Sequence, residues 1–229
     1  MQQTTVLSVG GSIISPDGVD VEFLKRFVTA IEEYLQSHPH QRFILVSGGG
    51  APARTYQQAY KQIDPQPDSE LLDWIGIAAT RLNGMLLRSL FARYCSTDLV
   101  TDPSAEFTFE GRVLVAAGWK PGFSSDADAV YLAIRFGSET VINLSNIAKV
   151  YTADPKLDPL ARPLDAISWQ EFRKMVGDQW IPGKNLPFDP IASKEAQQAN
   201  LKVICADGRN IANLMAILNN KEFEGTLIS

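Results

Sequence analysis

The stretch Phe43-Ile44-Leu45-Val46-Ser47-Gly48-Gly49-Gly50-Ala51-Pro52-Ala53-Arg54 decides how this chain is read. It opens with an apolar run short enough to be a buried parallel strand. Three glycines follow, then a segment able to continue as a helix, with Pro52 suited to its first turn. Glycines at a strand-to-helix turn leave backbone N–H groups bare, with no Cβ to keep an anion away. The helix N-terminus adds roughly half a positive charge, and Arg54 offers a planar fork for phosphate oxygens. Taken alone, Gly48-Gly49-Gly50 is equally well read as a tight turn that needs glycine only for its backbone angles. A second loop of the same kind shifts the balance. Thr4 to Val9 reads as a strand, Gly10-Gly11-Ser12 follows it directly, and Ser12 adds a hydroxyl donor.

Composition sets the frame. The 229 residues suffice for one large α/β unit with a sizeable core. The net charge of −5 argues against a nucleic-acid surface, which would show a basic excess, but not against a small anion held in a local pocket. Cys95 and Cys205 are too few for a disulfide framework or a thiolate zinc site. No apolar run approaches the roughly 20 residues of a membrane span. Met1 to Thr5 lacks the basic start and apolar stretch of a signal peptide, so the cytoplasm is the expected compartment and no membrane partner is expected.

Around the two glycine loops, strands and helices alternate. Asp20 is placed to cap a helix running to about Gln36, and His38 and His40 fall in a polar turn rather than a metal site. Ser69 starts a long helix, from Glu70 to about Tyr94. Its apolar residues, Leu82, Met85 and Leu90 among them, cover more than one stripe, which predicts burial on several sides. Val113 to Ala117 reads as a buried strand. The loop Gly118 to Asp126 then opens a helix that Ser124 or Ser125 can cap, with the Asp126 carboxylate at its start. Strands Glu139–Leu144 and Lys202–Cys205, helices capped by Ser168 and near Pro190 and Asn210, and a last strand near Gly225–Ile228 complete the pattern. The expected fold is α/β, a three-layer α/β/α sandwich on a mostly parallel sheet, formed by residues 1–229 as a single domain. In such sheets ligands bind beyond the carboxyl ends of the strands, where all these loops lie.

Together these motifs carry a specific resemblance. Val9-Gly10-Gly11-Ser12, Gly48-Gly49-Gly50 with Arg54, and Asp73-Trp74-Ile75-Gly76-Ile77 through Arg81-Leu82-Asn83 resemble the amino-acid kinase superfamily, and within it the archaeal-type uridylate kinases. Pro121 to Ala127, Val150 to Pro155, Phe188-Asp189-Pro190-Ile191-Ala192, Ala206 to Arg209 and Gly225-Thr226 continue the likeness in order, over nearly the whole chain. The resemblance implies about eight strands, a homo-oligomer, usually a hexamer, and transfer of the ATP γ-phosphoryl group to UMP with Mg²⁺, a step of pyrimidine biosynthesis. It implies an acceptor side in the N-terminal half and an ATP side in the C-terminal half. Gly10, Gly11 and Ser12 would hold ATP phosphates, with Gly50 and Arg54 at the bridge between substrates and Gly49 toward UMP. Asp73 would accept from the UMP ribose hydroxyls. Lys120, Pro121, Gly122, Phe123, Ser124 and Ser125 would line the uracil and its phosphate. Ser145, Asn146, Tyr151 and Asp154 would contact adenosine. Asp126 would orient the phosphate-bridging cations, of which Lys184, between Gly183 and Asn185, is the expected mobile one.

Several positions depart from the pattern. Ser8 stands where many superfamily members carry lysine, and Ala51 where archaeal-type relatives tend to. Lys120-Pro121-Gly122-Phe123 replaces His-Pro-Gly-His, while Ala148 and Lys149 stand where an acid and a glycine are usual. These changes keep open two alternatives: a kinase of the same fold for another small acid or phosphate acceptor, and a non-catalytic nucleotide- or oxyanion-binding relative.

Overall fold

A computed structural model describes residues 2–155, 157–179 and 186–229. In chain order the elements begin β1 (Gln3–Val9), α1 (Gly11–Ile14), α2 (Val21–Ser37), β2 (Gln41–Ser47), α3 (Gly50–Ile63), α4 (Ser69–Leu90), β3 (Val113–Ala116), α5 (Ser125–Arg135) and β4 (Thr140–Ser145). They continue β5 (Val150–Tyr151), β6 (Pro163–Leu164), β7 (Ala166–Ile167), α6 (Trp169–Val176), α7 (Pro190–Gln198), β8 (Lys202–Asp207), α8 (Ile211–Leu218) and β9 (Thr226–Ile228). Side-chain caps start most of the longer helices: Asp20 accepts from the Phe23 N–H, Ser124 from Ala127, Asp189 from Ala192 and Asn210 from Asn213. Ser168 and Glu171 close a reciprocal capping box on α6.

Seven strands form one sheet in the order β3-β2-β1-β4-β8-β9-β7, and β5 with β6 makes a separate antiparallel ribbon. The pairings are parallel from β3 across to β8, β9 runs antiparallel to β8, and β7 parallel to β9. Alternate residues of the central strands supply two cores. Val6, Ile44, Leu114, Val141 and Val203 face α5, α6 and α7, together with Trp169, Phe172 and Phe188. Leu7, Leu45, Val115, Ile142 and Ile204 face the opposite layer, with Phe23, Phe27 and Ile31 of α2 and Leu214 of α8. A strand buried on both faces cannot show the apolar–polar alternation of a half-exposed one, so these strands read as continuous apolar runs.

Two expectations need correction. The long helix is capped by Asp68, which accepts from the Glu70 and Leu71 N–H groups, and it ends at Leu90 rather than near Tyr94. It is also buried along one stripe only, through Leu72, Ile77, Ala79, Asn83, Gly84 and Leu87. Leu82 is 66% exposed and Met85 47% exposed, because α4 lies flat on the sheet edge and only its inner stripe reaches the strands. The outer stripe, with Leu71 and Trp74, lies open beside α3, which itself buries no residue fully. His38 is accounted for without metal: its ring stacks on Tyr34 at 3.9 Å. Among the described residues no helix is long and apolar enough to cross a membrane.

Candidate active site

The loops after β1 and β2 meet backbone to backbone. Gly48 donates its N–H to the Val9 carbonyl at 2.9 Å, and Ala51 to the Ser15 carbonyl at 2.8 Å. A Cβ on Gly11 would lie 2.0 Å from the Gly50 nitrogen, and one on Gly48 would lie 2.3 Å from the Gly11 nitrogen. Gly50 holds φ at +67°, which a residue with a side chain rarely adopts. Asn83, buried in α4, donates its amide to the carbonyls of Gly48 at 2.8 Å and Gly49 at 3.1 Å, fixing the peptide planes of that loop. On the other flank Gly10 donates to the Leu144 carbonyl and Gly208 to the Ser145 carbonyl, which brings the ends of β4 and β8 against the same spot. Arg209 reaches back from there to the Ser12 carbonyl at 3.2 Å. The glycines are thus demanded by close packing, and the two loops lie side by side at the carboxyl end of the sheet, where ligands of such sheets bind.

Of the predicted cations, Arg54 is exposed, and its guanidinium Nη2 donates to the Pro16 carbonyl at 3.0 Å. Lys120 rests its ammonium 3.8 Å from the centre of the Trp119 ring and 5.0 Å from that of Phe123. Lys149 pairs with Asp165. Lys184, with Gly183 and Asn185, lies outside the described residues.

The loop between β3 and α5, Gly118 to Ser124, is anchored on α4 at both ends. Asp73 accepts the Gly122 N–H at 2.9 Å. Arg81 donates to the Gly118 carbonyl at 3.2 Å and the Trp119 carbonyl at 2.9 Å, while Thr80 accepts the Gly118 N–H. Phe123 stacks near Trp119 and Tyr131, and Ser124 serves as the cap of α5. Asp73 and the Lys120–Ser125 segment are therefore in contact. On the opposite flank, Ser145 takes the Ile147 N–H on its hydroxyl, Asn146 is exposed, and Tyr151 lies in the β5–β6 ribbon. The Asp154 carbonyl accepts from Leu157 and Asp158.

Asp126 sits where the two flanks join. With Ser124 as cap, its carboxylate is turned elsewhere: it accepts the Ser8 hydroxyl at 3.3 Å and the Asp189 N–H at 3.2 Å. The serine that replaces the superfamily lysine therefore faces this acid. Burial pushes the Asp126 carboxyl up to about 7, the neighbouring Asp189 charge adds to the rise, and the Asp189 amide and Ser8 hydroxyl oppose it. Burial also raises Asp189, whose second carboxylate oxygen has no partner. Both shifts favour the protonated form relative to a free carboxylate, and a cation placed beside the pair would oppose them.

Asn83, Arg81, Arg209 and Asp189 are the functional neighbours that motif reading did not assign. Asn83 and Arg81 lie within the stretch quoted for the resemblance, but their partners are 34 to 38 positions away in sequence.

Comparison with known proteins agrees with this geometry. The family model described as "Amino acid kinase family" matches residues 3–207. A uridylate kinase of Methanospirillum hungatei is 32% identical over 229 residues, covering 99% of this chain and 94% of that protein. One from Methanocorpusculum labreanum is 33% identical, covering 97% and 94%. The crystal structure of uridylate kinase from Archaeoglobus fulgidus superposes with a TM-score of 0.82 at 32% identity, covering 100% of both chains. With glycine loops in contact, an acid bonded to the strand that leads into the first of them and full-length similarity to these proteins, the chain belongs to the amino acid kinase family.

Proposed function

We propose that the chain transfers the γ-phosphoryl group of Mg-ATP to UMP, giving UDP and ADP. The observation that carries the reading is the placing of three parts at the carboxyl end of the sheet: the paired glycine loops, the Asp73-to-Gly122 link and Asp126. Phosphoryl transfer asks for positioning and charge neutralisation rather than covalent chemistry. Bare backbone N–H groups and Arg54 suit the phosphates, and Asp73 suits a sugar hydroxyl. Magnesium fits as the ion carried by the nucleotide. Among the described residues no group of three histidine, cysteine or acidic side chains is arranged to hold a resident metal.

A coupled ADP-release assay with Mg-ATP tests the acceptor against a panel of nucleoside monophosphates and small acids. UMP is expected to give the largest kcat/KM, and Arg54→Ala to lower that value about a hundredfold with the melting temperature unchanged. Turnover of a different acceptor with none of UMP would sink the assignment.

A homo-oligomer belongs to the same reading, the hexamer being the form that the resemblance implies. The open apolar stripe of Leu71, Trp74, Leu82 and Met85 supports it, since an exposed patch of this kind marks a contact surface. Light scattering on the purified chain is expected to give a multiple of the 25.2 kDa monomer mass, and Leu82→Glu to reduce it. A monomer at micromolar concentration would refute the oligomer.

A further inference from the structure

Two residues beyond Asp126, the first turn of α5 carries a second carboxylate in less expected surroundings. Asp128 is 1% exposed, and neither of its oxygens has a hydrogen-bond partner. Buried polar atoms nearly always find partners, so a carboxylate with both oxygens orphaned calls for a reason other than packing. Ser124 already caps the helix, so Asp128 is not needed there.

What surrounds it is the anchored end of the Gly118–Ser124 loop. The Trp119 N–H approaches from that loop, and the Arg81 guanidinium draws on it from α4 while bonding the Gly118 and Trp119 carbonyls. Asp102, from the segment between α4 and β3, and Asp126 repel it. Tyr131, one turn along α5, feels its charge, as it does that of Glu195 on α7. The favourable partners thus belong to the loop or hold it; of the unfavourable ones, Asp102 also reaches the loop, at the Trp119 side chain, and Asp126 lies on α5 itself. The same loop closes on Asp73 at Gly122.

The geometry points to Asp128 as a positioning residue: its buried charge, acting on the Trp119 amide and on Arg81, holds the Gly118–Phe123 loop in the shape that receives the acceptor. It sets the KM for the acceptor and leaves the transfer step alone, because it reaches the ligand only through the loop. Burial brings its carboxyl up to about 7, with the Trp119 amide opposing and the Asp126 charge adding. The hold is therefore complete above that pH and relaxes below it. The acceptor part of this inference rests on the kinase reading above, and the loop part does not.

Two measurements on the full chain test it, comparing the wild type with Asp128→Asn. Without substrate, amide exchange of the Gly118–Phe123 segment is expected to be about tenfold faster in the variant at about pH 8, once intrinsic rates are divided out. The wild type should approach the variant at about pH 6. With substrate, KM for UMP is expected to rise about tenfold at the higher pH, with kcat and the KM for ATP within about twofold. The wild-type KM should rise on acidification while that of the variant stays flat. Equal loop exchange in the two proteins at the higher pH overturns the proposal. So does a loss of protection spread through β1, β2 and β4, which would make Asp128 a general structural residue. If the wild type does not turn over UMP, the acceptor assignment fails, and the exchange comparison still decides the role of Asp128.

Discussion

Asp126→Asn is expected to lower kcat by about a hundredfold or more while making the protein more stable at about pH 8. The two effects share one cause. The carboxylate is half-buried beside Asp189 and receives only two long hydrogen bonds, at 3.2 and 3.3 Å, so its charge is poorly compensated. Its carboxyl rises from the ordinary carboxylate range to about 7, and each tenfold change in proton affinity is worth about 1.4 kcal/mol. Discounted for partial exposure and for a proton shared with Asp189, ionisation in the folded state costs about 2 kcal/mol. Asparagine removes that cost and fits the site, accepting from the Asp189 amide and donating to the Ser8 hydroxyl. For a chain of this size the gain corresponds to about 4–8 °C in melting temperature.

The sign with pH follows from linkage. A carboxyl raised above its unfolded value binds its proton more tightly in the fold, so wild-type stability falls as pH rises from about 4 to about 7. The advantage of Asp126→Asn should therefore be full at about pH 8, much smaller at about pH 5 and gone near pH 4. Thermal unfolding at these pH values, alongside the ADP-release assay, checks both halves. A variant with wild-type turnover would remove Asp126 from the phosphate chemistry. One that melts lower at every pH would make its carboxylate a structural acceptor.

Much of this arrangement is legible in sequence because it is local. Asp20, Ser168, Asp189 and Asn210 each bond the N–H three residues ahead, so composition and spacing suffice to find those helix starts. Asp68 was hidden by the adjacent Ser69, since either residue can cap and only the chain's path chooses. The glycine loops announced the crevice, but not that they touch each other. β6 and β7 have two residues each, too short for any periodicity. α4 misled for a different reason: hydrophobic pattern reports that a stripe is meant to be covered, not whether this chain or another copy covers it. The acids are the clearest limit. Asp126 and Asp128 stand two apart in one serine- and aspartate-rich segment. One meets Ser8 from a distant strand, and the other faces the Trp119 amide and Arg81 with no hydrogen bond of its own. Only the packing of α5 against β1 and the loop above it separates their environments.

Gly11→Ala should be the most damaging of the small substitutions, costing about 3 kcal/mol or more and with it most of the activity. The added methyl would sit 2.0 Å from the Gly50 nitrogen, 2.6 Å from the Gly50 Cα and 2.7 Å from the Gly49 carbonyl carbon. All three are backbone atoms, so no side chain can swing aside. The loop they belong to is fixed from behind by Asn83 and by the Ala51 N–H on Ser15. Gly50 is as tightly placed from its own side: with φ at +67°, a Cβ there would lie 2.4 Å from the Gly11 carbonyl oxygen and 2.6 Å from that of Ser15. The two loops must separate, and the crevice edge they share is lost with their contact. Gly18 provides the control: it lies in the exposed turn before α2 with nothing within 4 Å of its Cβ position, so Gly18→Ala should leave melting and turnover as they were. Thermal melts of both variants without nucleotide isolate the packing effect from any ligand effect. If Gly11→Ala melts with the wild type yet no longer binds ATP, the glycine serves only the approach of phosphate, and the contact between the loops is looser than these distances imply.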